Sequence, residues 1–369
     1  MKDTKNHTIL HLRGSDFYGS VEKLIAGQMK HLENFYCSCA SFKKTGKENQ
    51  FLKEMRRQAF ASFDIDDKGF FDRKIPGRLA GLINSNGIDL LVTHDYKSRF
   101  YGSRAAKKTK IPHVAYFHGW TSEDLKVRFY NYLDKKLMRK ADRIIAVSKS
   151  SASVLSRAGI PTSRISVIYN AYETSAEIPP TRMRHAPLVI GVIGRLSWEK
   201  GVHVFLRALA TIKGKAPEFK AEIYGDGPYN ERLRKLSVHL GLDDKVDFKG
   251  FREDIDKVYD NIDFLVVPSL SEGHPLVILE AWAGGIGIIA SRAGGIPEIL
   301  ENGKSGILVD TDNPEMLGSA IRRALTDYNV MIQYGRTGFE TLKRRFNCEQ
   351  QESSLTAVYN DVLGVDGAQ

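Results

Sequence analysis

The sequence predicts an α/β protein of two domains, each built on a doubly wound parallel sheet. Short apolar runs of strand type recur along the chain, separated by longer amphipathic stretches, which is the pattern of β-α-β units. The chain has 369 residues, against ~100–200 for one domain. Near its middle, residues 170–187 lose periodicity and carry three prolines, so they read as an exposed linker.

In the first half the strand candidates are Thr8–Arg13, Ile88–Thr93, His113–His118, Arg143–Ser148 and Ile165–Tyr169. In the second they are Leu188–Ile193, Lys220–Tyr224, Val246–Lys249, Asp263–Val267, Gly287–Ala290 and Gly306–Val309. Each half alone is enough for a doubly wound sheet. Such sheets take ligands outside the carboxyl ends of their strands, so two of them on one linker are expected to face each other across a cleft that holds the function.

Composition excludes several classes. The chain is 42% hydrophobic and 27% charged, neither disordered nor fibrous. No apolar run approaches the ~20 residues of a membrane-spanning helix, and the polar stretch Met1–Leu10 is no signal peptide, so a soluble, cytoplasmic protein is expected. Cys37, Cys39 and Cys348 are odd in number and form no C-x-x-C pair, which leaves neither a disulfide framework nor a four-ligand zinc site. The net charge of +10 is unevenly spread: residues 1–185 hold 33 Lys and Arg against 18 Asp and Glu, and residues 186–369 hold 21 against 26. The basicity belongs to the first half.

The second half opens with a strand and then G-R-L-S-W-E-K-G-V, Gly194 to Val202. Arg195 falls just past the strand end and Lys200 near the start of the next helix. Two cations beside a helix N-terminus suit a diphosphate, Arg as a bidentate fork and Lys as a point charge. Alone, the pair also reads as ordinary surface residues. Tyr224-Gly225-Asp226-Gly227-Pro228 is a strand followed by a glycine turn, but Asn230 stands where a dinucleotide fingerprint needs glycine. Gly303-Lys304-Ser305 resembles the end of a P-loop, and Glu298 occupies the position of its required glycine.

Residues 267–285, V-P-S-L-S-E-G-H-P-L-V-I-L-E-A-W-A-G-G, carry the most information. A buried strand ends at Pro268, a polar loop follows, and Pro275 is expected at the first helical position. Glu272 then lies in the loop, and Glu280 more than a turn inside the helix. Backbone N–H groups at residues 275–277 would face a phosphate while Glu280 accepts hydrogen bonds from a vicinal diol. The competing reading makes Glu280 a helix-surface residue and Glu272 a loop charge.

The pair Glu272 and Glu280, preceded by the segments at Gly194 and Gly225 and followed by Gly294-Gly295-Ile296-Pro297-Glu298, resembles the family 4 glycosyltransferases. Gly250-Phe251-Arg252 and Asn302–Gly306 fall in the family's order too. The first half agrees: Tyr18-Gly19-Ser20-Val21-Glu22 resembles the family's G-G-x-E loop with serine for the second glycine, and His118, before Gly119-Trp120, matches its active-site histidine. Asn170 lies in a matching segment, with tyrosine and alanine beside it where proline and glycine are commoner. The resemblance covers about residues 8–363.

It implies the GT-B fold: an acceptor-binding domain over residues 1–180, joined by a crossover helix at about 350–369, and a nucleotide-sugar-binding domain over 186–349. It also implies a retaining hexosyltransferase that needs neither metal nor cofactor, the nucleotide sugar being substrate. Arg195 and Lys200 would neutralise the leaving diphosphate, Glu280 hold the ribose, and Glu272 and His118 contact the sugar. Gly19, Gly225, Gly227, Arg252, Gly273, His274, Pro275, Leu276 and Val277 complete the donor site. A UDP-sugar is expected ahead of a GDP-sugar, with a lipid-linked, polysaccharide or lipopolysaccharide acceptor. The alternatives are a sugar-nucleotide epimerase or phosphorylase of the same fold, and a basic nucleic-acid-binding protein that would leave the acidic half unexplained.

Other constellations carry less. Asp64-Ile65-Asp66, Asp254-Ile255-Asp256 and Asp310-Thr311-Asp312 sit in polar stretches and read as solvated charge, and no H-E-x-x-H or G-x-S-x-G spacing exists. Within residues 122–141, Leu125, Phe129, Leu133 and Leu137 recur every fourth position while Arg128, Lys135, Lys136, Arg139 and Lys140 occupy other faces. That is a core-facing helix with a solvated back, or a peripheral surface for anionic phospholipid at ~1 kcal/mol per basic residue.

Overall fold

The computed structural model describes residues 7–44, 47–69, 72–120, 125–178 and 186–365, with the side chains of residues 125–129 and 256 outside that set. The chain forms two compact units. Unit 1 comprises residues 1–170 and 348–369, and unit 2 comprises residues 171–347.

Unit 1 holds seven strands: β1 (Thr8–Arg13), β2 (Tyr36–Lys44), β3 (Ala61–Asp67), β4 (Leu90–Thr93), β5 (His113–Phe117), β6 (Arg143–Ala146) and β7 (Ile165–Val167). They run parallel in the order β3-β2-β1-β4-β5-β6-β7. Unit 2 holds β8 (Leu188–Ile193), β9 (Phe219–Tyr224), β10 (Val246–Gly250), β11 (Phe264–Val267), β12 (Gly287–Ser291) and β13 (Ile307–Val309), parallel in the order β10-β9-β8-β11-β12-β13. Both repeat the doubly wound order 3-2-1-4-5-6, whose direction reverses beside the first strand. The reversal falls between β1 and β4 in unit 1 and between β8 and β11 in unit 2.

The central strands are mostly apolar because helices cover both faces. Every residue of β4, β5, β11 and β12 is buried. In unit 2, Ile190, Val192, Phe205, Leu209, Phe264 and Ile289 centre one continuous core. The last helix, Cys348–Leu363, belongs to unit 1, where Leu355 and Tyr359 are fully buried beside Ile9, Val92 and Tyr116.

Two strands went unread in the sequence. β2, Y-C-S-C-A-S-F-K-K, buries mostly small residues, and β3 is an edge strand whose Ile65 points inward while Asp64 and Asp66 face solvent. The D-x-D string there is solvated, as expected, but it lies in a strand. Pro275 is also displaced from expectation: it caps the helix Leu276–Ala283 in an extended conformation rather than opening it.

In the helix Leu125–Met138, Leu137 and Met138 are buried, so the core-facing reading holds over its last turn. Its basic side is partly engaged: the Lys135 ammonium lies over the Trp120 ring and that of Lys136 over Tyr132, and Arg139 donates to the Ala158 carbonyl. Leu125, Arg128 and Phe129 fall outside the described side chains, as does the linker stretch 179–185.

Candidate active site

The site in unit 2 is assembled from loops at the carboxyl ends of β8, β9, β10 and β11, where the strand order reverses. After β8 the chain passes Gly194, makes a single turn at Trp198–Lys200 and enters the helix Val202–Ile212. After β11, residues 268–275 form the loop that leads into the helix Leu276–Ala283. Glycine lets these loops touch. Gly201 has φ +65°, and a Cβ there would stand 1.9 Å from the Pro268 carbonyl oxygen. Gly294, at φ +51°, would place one 1.9 Å from that of Glu272, while the Gly295 N–H donates to the same oxygen at 3.2 Å. Only glycine combines the left-handed conformation with such an approach.

This clasp brings together two residues 72 positions apart. Lys200 Nζ donates to Glu272 Oε1 at 2.7 Å, and Ser269 Oγ donates to the same oxygen at 2.8 Å. The Glu272 side chain is 9% exposed and that of Lys200 30%, so the carboxylate is held from within while the ammonium stays reachable. Glu272 Oε2 takes no hydrogen bond among the described residues. Arg195 is exposed and its guanidinium pairs with nothing described, which leaves an uncompensated cation beside the Lys200 turn.

Glu280 is 6% exposed, and the Tyr259 hydroxyl donates to its Oε2 at 2.7 Å. A buried carboxylate needs such partners, so Glu280 is not a helix-surface residue, while Glu272 is a loop carboxylate held in an ion pair. The expectation of N–H groups at residues 275–277 needs one correction. Proline has none, so Leu276 and Val277 offer the unpaired amides of the helix start. His274 is buried, its ring edge-on to Phe346 at 5.2 Å, and burial with the nearby Arg345 charge lowers its pKa to about 3. Gly225 closes the β9 end, its N–H donating to the Gly250 carbonyl at 2.9 Å, and the Leu196 N–H donates to the Asp226 carbonyl at 3.0 Å. Gly227 follows in the same turn, Gly273 lies half-buried in the loop after β11, and Arg252 is exposed two residues past β10.

Gly19 and His118 lie in unit 1. Gly19 caps the helix Ser20–His31, with Glu22 Oε2 accepting its N–H at 3.0 Å and Glu22 Oε1 accepting Arg13 Nε at 2.7 Å. The glutamate of the G-S-V-E loop therefore fixes a helix start and the arginine that ends β1. His118 follows β5 at the end of a stack: its ring is 5.6 Å from Tyr116 and 6.1 Å from His94, which lies 5.3 Å from His11. His11 Nδ1 and His94 Nε2 are 3.0 Å apart, one donating to the other. Burial lowers the pKa of His118 to about 3, with Arg13 and Arg99 adding to it, so the imidazole is neutral. Its Nε2 is shielded from solvent and has no partner among the described residues.

Sequence reasoning missed what holds these groups. Asp134, inside the basic helix, binds Arg99 in a buried fork at 2.8 and 2.9 Å and accepts from Trp120 Nε1 at 2.9 Å. Arg99 also donates to the Tyr116 carbonyl at 2.7 Å. Tyr259 and Ser269 were missed as well. A lone carboxylate among lysines was the one available signal for Asp134; the other two gave none.

Two doubly wound parallel-sheet units, one carrying a turn whose Lys200 pairs with Glu272, match the GT-B fold of transferases. Family models agree: "Glycosyl transferases group 1" matches residues 175–340 and "Glycosyltransferase Family 4" matches residues 40–176. The chain belongs to the family 4 glycosyltransferases. It is 29% identical over 311 residues to an uncharacterized glycosyltransferase of Methanocaldococcus jannaschii, covering 78% of this chain and 79% of that one. With the lipopolysaccharide core biosynthesis mannosyltransferase LpcC of Rhizobium leguminosarum bv. viciae it shares 29% over 246 residues, 62% of this chain and 67% of that one. Several further glycosyltransferases are matched over about half of their own length. Among solved structures, Anabaena HepE in complex with UDP and glucose superposes with a TM-score of 0.82 at 21% identity, over 95% of this chain and 99% of that one.

Among the described residues no group of three or more His, Cys, Asp or Glu side chains is placed to hold a metal ion. None of the described helices is long and apolar enough to cross a membrane.

Proposed function

We propose that this glycosyltransferase is a retaining enzyme that takes a UDP-sugar as donor and passes the sugar to a lipid-linked, polysaccharide or lipopolysaccharide acceptor. The observation that carries the reading is the Lys200–Glu272 pair with the unpartnered Arg195 at the strand-order reversal of unit 2. The UDP bound in HepE and the lipopolysaccharide named for LpcC support the donor and acceptor classes.

In this mechanism the bond between the anomeric carbon and the diphosphate oxygen breaks, and its electron pair leaves with the diphosphate. Arg195 and Lys200 neutralise the charge that develops, in the role a metal ion fills elsewhere. The first amides of the helix at Leu276 and Val277 face a phosphate. Glu280, oriented by Tyr259, accepts from the ribose hydroxyls. Glu272 keeps Oε1 on Lys200 and offers Oε2 to a sugar hydroxyl. His118, neutral at working pH, meets the sugar through a hydrogen bond rather than a transferred proton. The acceptor hydroxyl attacks on the face the diphosphate leaves, its proton passing to the departing phosphate oxygen, and the anomeric configuration is kept.

The basic unit 1 takes the acceptor in this reading, and an anionic membrane face supplies it when the acceptor is a lipid. Thermal scans with UDP, GDP, ADP and oligonucleotides test the core of the proposal. Stabilisation by UDP ahead of the other nucleotides is expected. Stabilisation by oligonucleotides alone overturns it.

A further inference from the structure

Unit 1 carries a group of basic side chains at the end of its sheet opposite His118. A cavity of about 920 Å³ opens where β5 and β6 begin, at His113 and Arg143, whereas His118 lies past the carboxyl end of β5. Arg104 and Lys107 border it from the helix Tyr96–Thr109, and Lys110 ends that helix in the left-handed conformation. Lys140 comes from the turn after Leu125–Met138.

Neither carboxylate of the cavity is paired with a lysine among the described residues. Asp142 accepts the His113 N–H at 2.8 Å, and Asp361 binds the Arg143 guanidinium, whose Nε stands 2.9 Å away. Arg104 is turned onto the Phe100 carbonyl and ring. Lys107, Lys110 and Lys140 are exposed and have neither an ion pair nor a hydrogen bond among the described residues. Lysines elsewhere in the chain, such as Lys97 on Asp67 and Lys249 on Asp247, do pair. A lysine in the last turn of a helix commonly answers the helix dipole, which accounts for Lys107. It does not account for three uncompensated ammonium groups around one concavity, one of them from a different segment.

We propose that this groove is an anion site for a phosphate-bearing ligand, separate from the donor site. Compact ammonium groups on flexible stems suit a polyvalent phosphate, whose oxygens accept from several of them at once. A lipid headgroup and a soluble phosphoester share that chemistry.

Calorimetric titration with inorganic tripolyphosphate at low salt tests the proposal. It uses the full chain, a Lys107→Gln/Lys110→Gln/Lys140→Gln variant, the corresponding triple arginine variant, and an Arg195→Ala/Lys200→Ala variant to remove the two donor-site cations. Binding at this groove is expected in the wild type, the arginine variant and the Arg195→Ala/Lys200→Ala variant, and about tenfold or more weaker in the glutamine variant, whose melting temperature stays that of the wild type. Cosedimentation with phosphatidylglycerol–phosphatidylcholine vesicles separates the sources: loss of vesicle binding in the glutamine variant assigns a lipid headgroup, and tripolyphosphate binding without vesicle binding assigns a soluble phosphoester. If the wild type binds neither probe, or the glutamine variant binds both as well as the wild type, the proposal is wrong.

Discussion

The two units share one strand order and build the carboxyl ends of their strands in opposite ways. In unit 2 backbone meets backbone: the loops after β8, β11 and β12 close at Gly201 and Gly294, and the candidate side chains are fixed by short bonds such as Lys200 to Glu272. In unit 1 side chains fill the same place, with His11, His94, Tyr116 and His118 stacked near the buried Arg99–Asp134 fork. A site made by close backbone approach demands glycine at set positions and so leaves a motif in the sequence. A site made by buried side chains leaves single residues scattered along it.

This contrast can be broken by substitution. The largest effect is expected from Asp134→Ala, which strands the buried Arg99 guanidinium and should destabilise unit 1 by about 3–5 kcal/mol, read by chemical denaturation with hydrogen exchange to locate the loss. A value under about 1 kcal/mol would mean the fork is not what holds the end of β5. Gly294→Ala comes next. A left-handed alanine whose Cβ meets the Glu272 carbonyl should cost about 3 kcal/mol in unit 2, and a neutral result would remove the backbone clasp from the account.

Acid should sharpen the comparison. Burial lowers the pKa values of His11, His113, His118 and His274 to about 3. As pH falls below the unfolded value of 6.5 the unfolded chain binds protons that the folded chain refuses. Stability is therefore full above that pH and is lost toward pH 3, by about 1.4 kcal/mol per pH unit for each fully buried histidine and less for the half-buried His118. Three of the four are in unit 1, so hydrogen exchange at pH 7 and pH 5 should show unit 1 opening first. The smallest effect belongs to Tyr259→Phe, which removes one hydrogen bond from Glu280. About 1 kcal/mol of stability and roughly fivefold in UDP affinity should go with it; unchanged affinity would separate Glu280 from the nucleotide.

How much was legible follows the same line. β8 was readable to the residue because a buried parallel strand is a continuous apolar run with polar flanks, and β1 because only His11 interrupts such a run. β2 and β3 were not, since small residues and alternating aspartates look like loop until the neighbouring strand is known. Arg195, Lys200, Glu272 and Glu280 stand out as candidates through glycine-rich motifs in a fixed order. Tyr259 and Asp134 were not, because each earns its place only by what folding brings opposite it, Glu280 across 21 residues and Arg99 across 35.

The central claim is that Lys200 and Arg195 carry the charge of a leaving diphosphate. The direct measurement is sugar transfer from a panel of nucleotide-diphosphate sugars to crude membranes, read as nucleotide release, with Lys200→Ala and Arg195→Ala beside the wild type. Each variant should lose about 10²–10³ in rate, and Arg195→Ala, whose guanidinium holds no partner to disturb, should keep the wild-type melting temperature. Transfer at the wild-type rate in both folded variants would contradict the account.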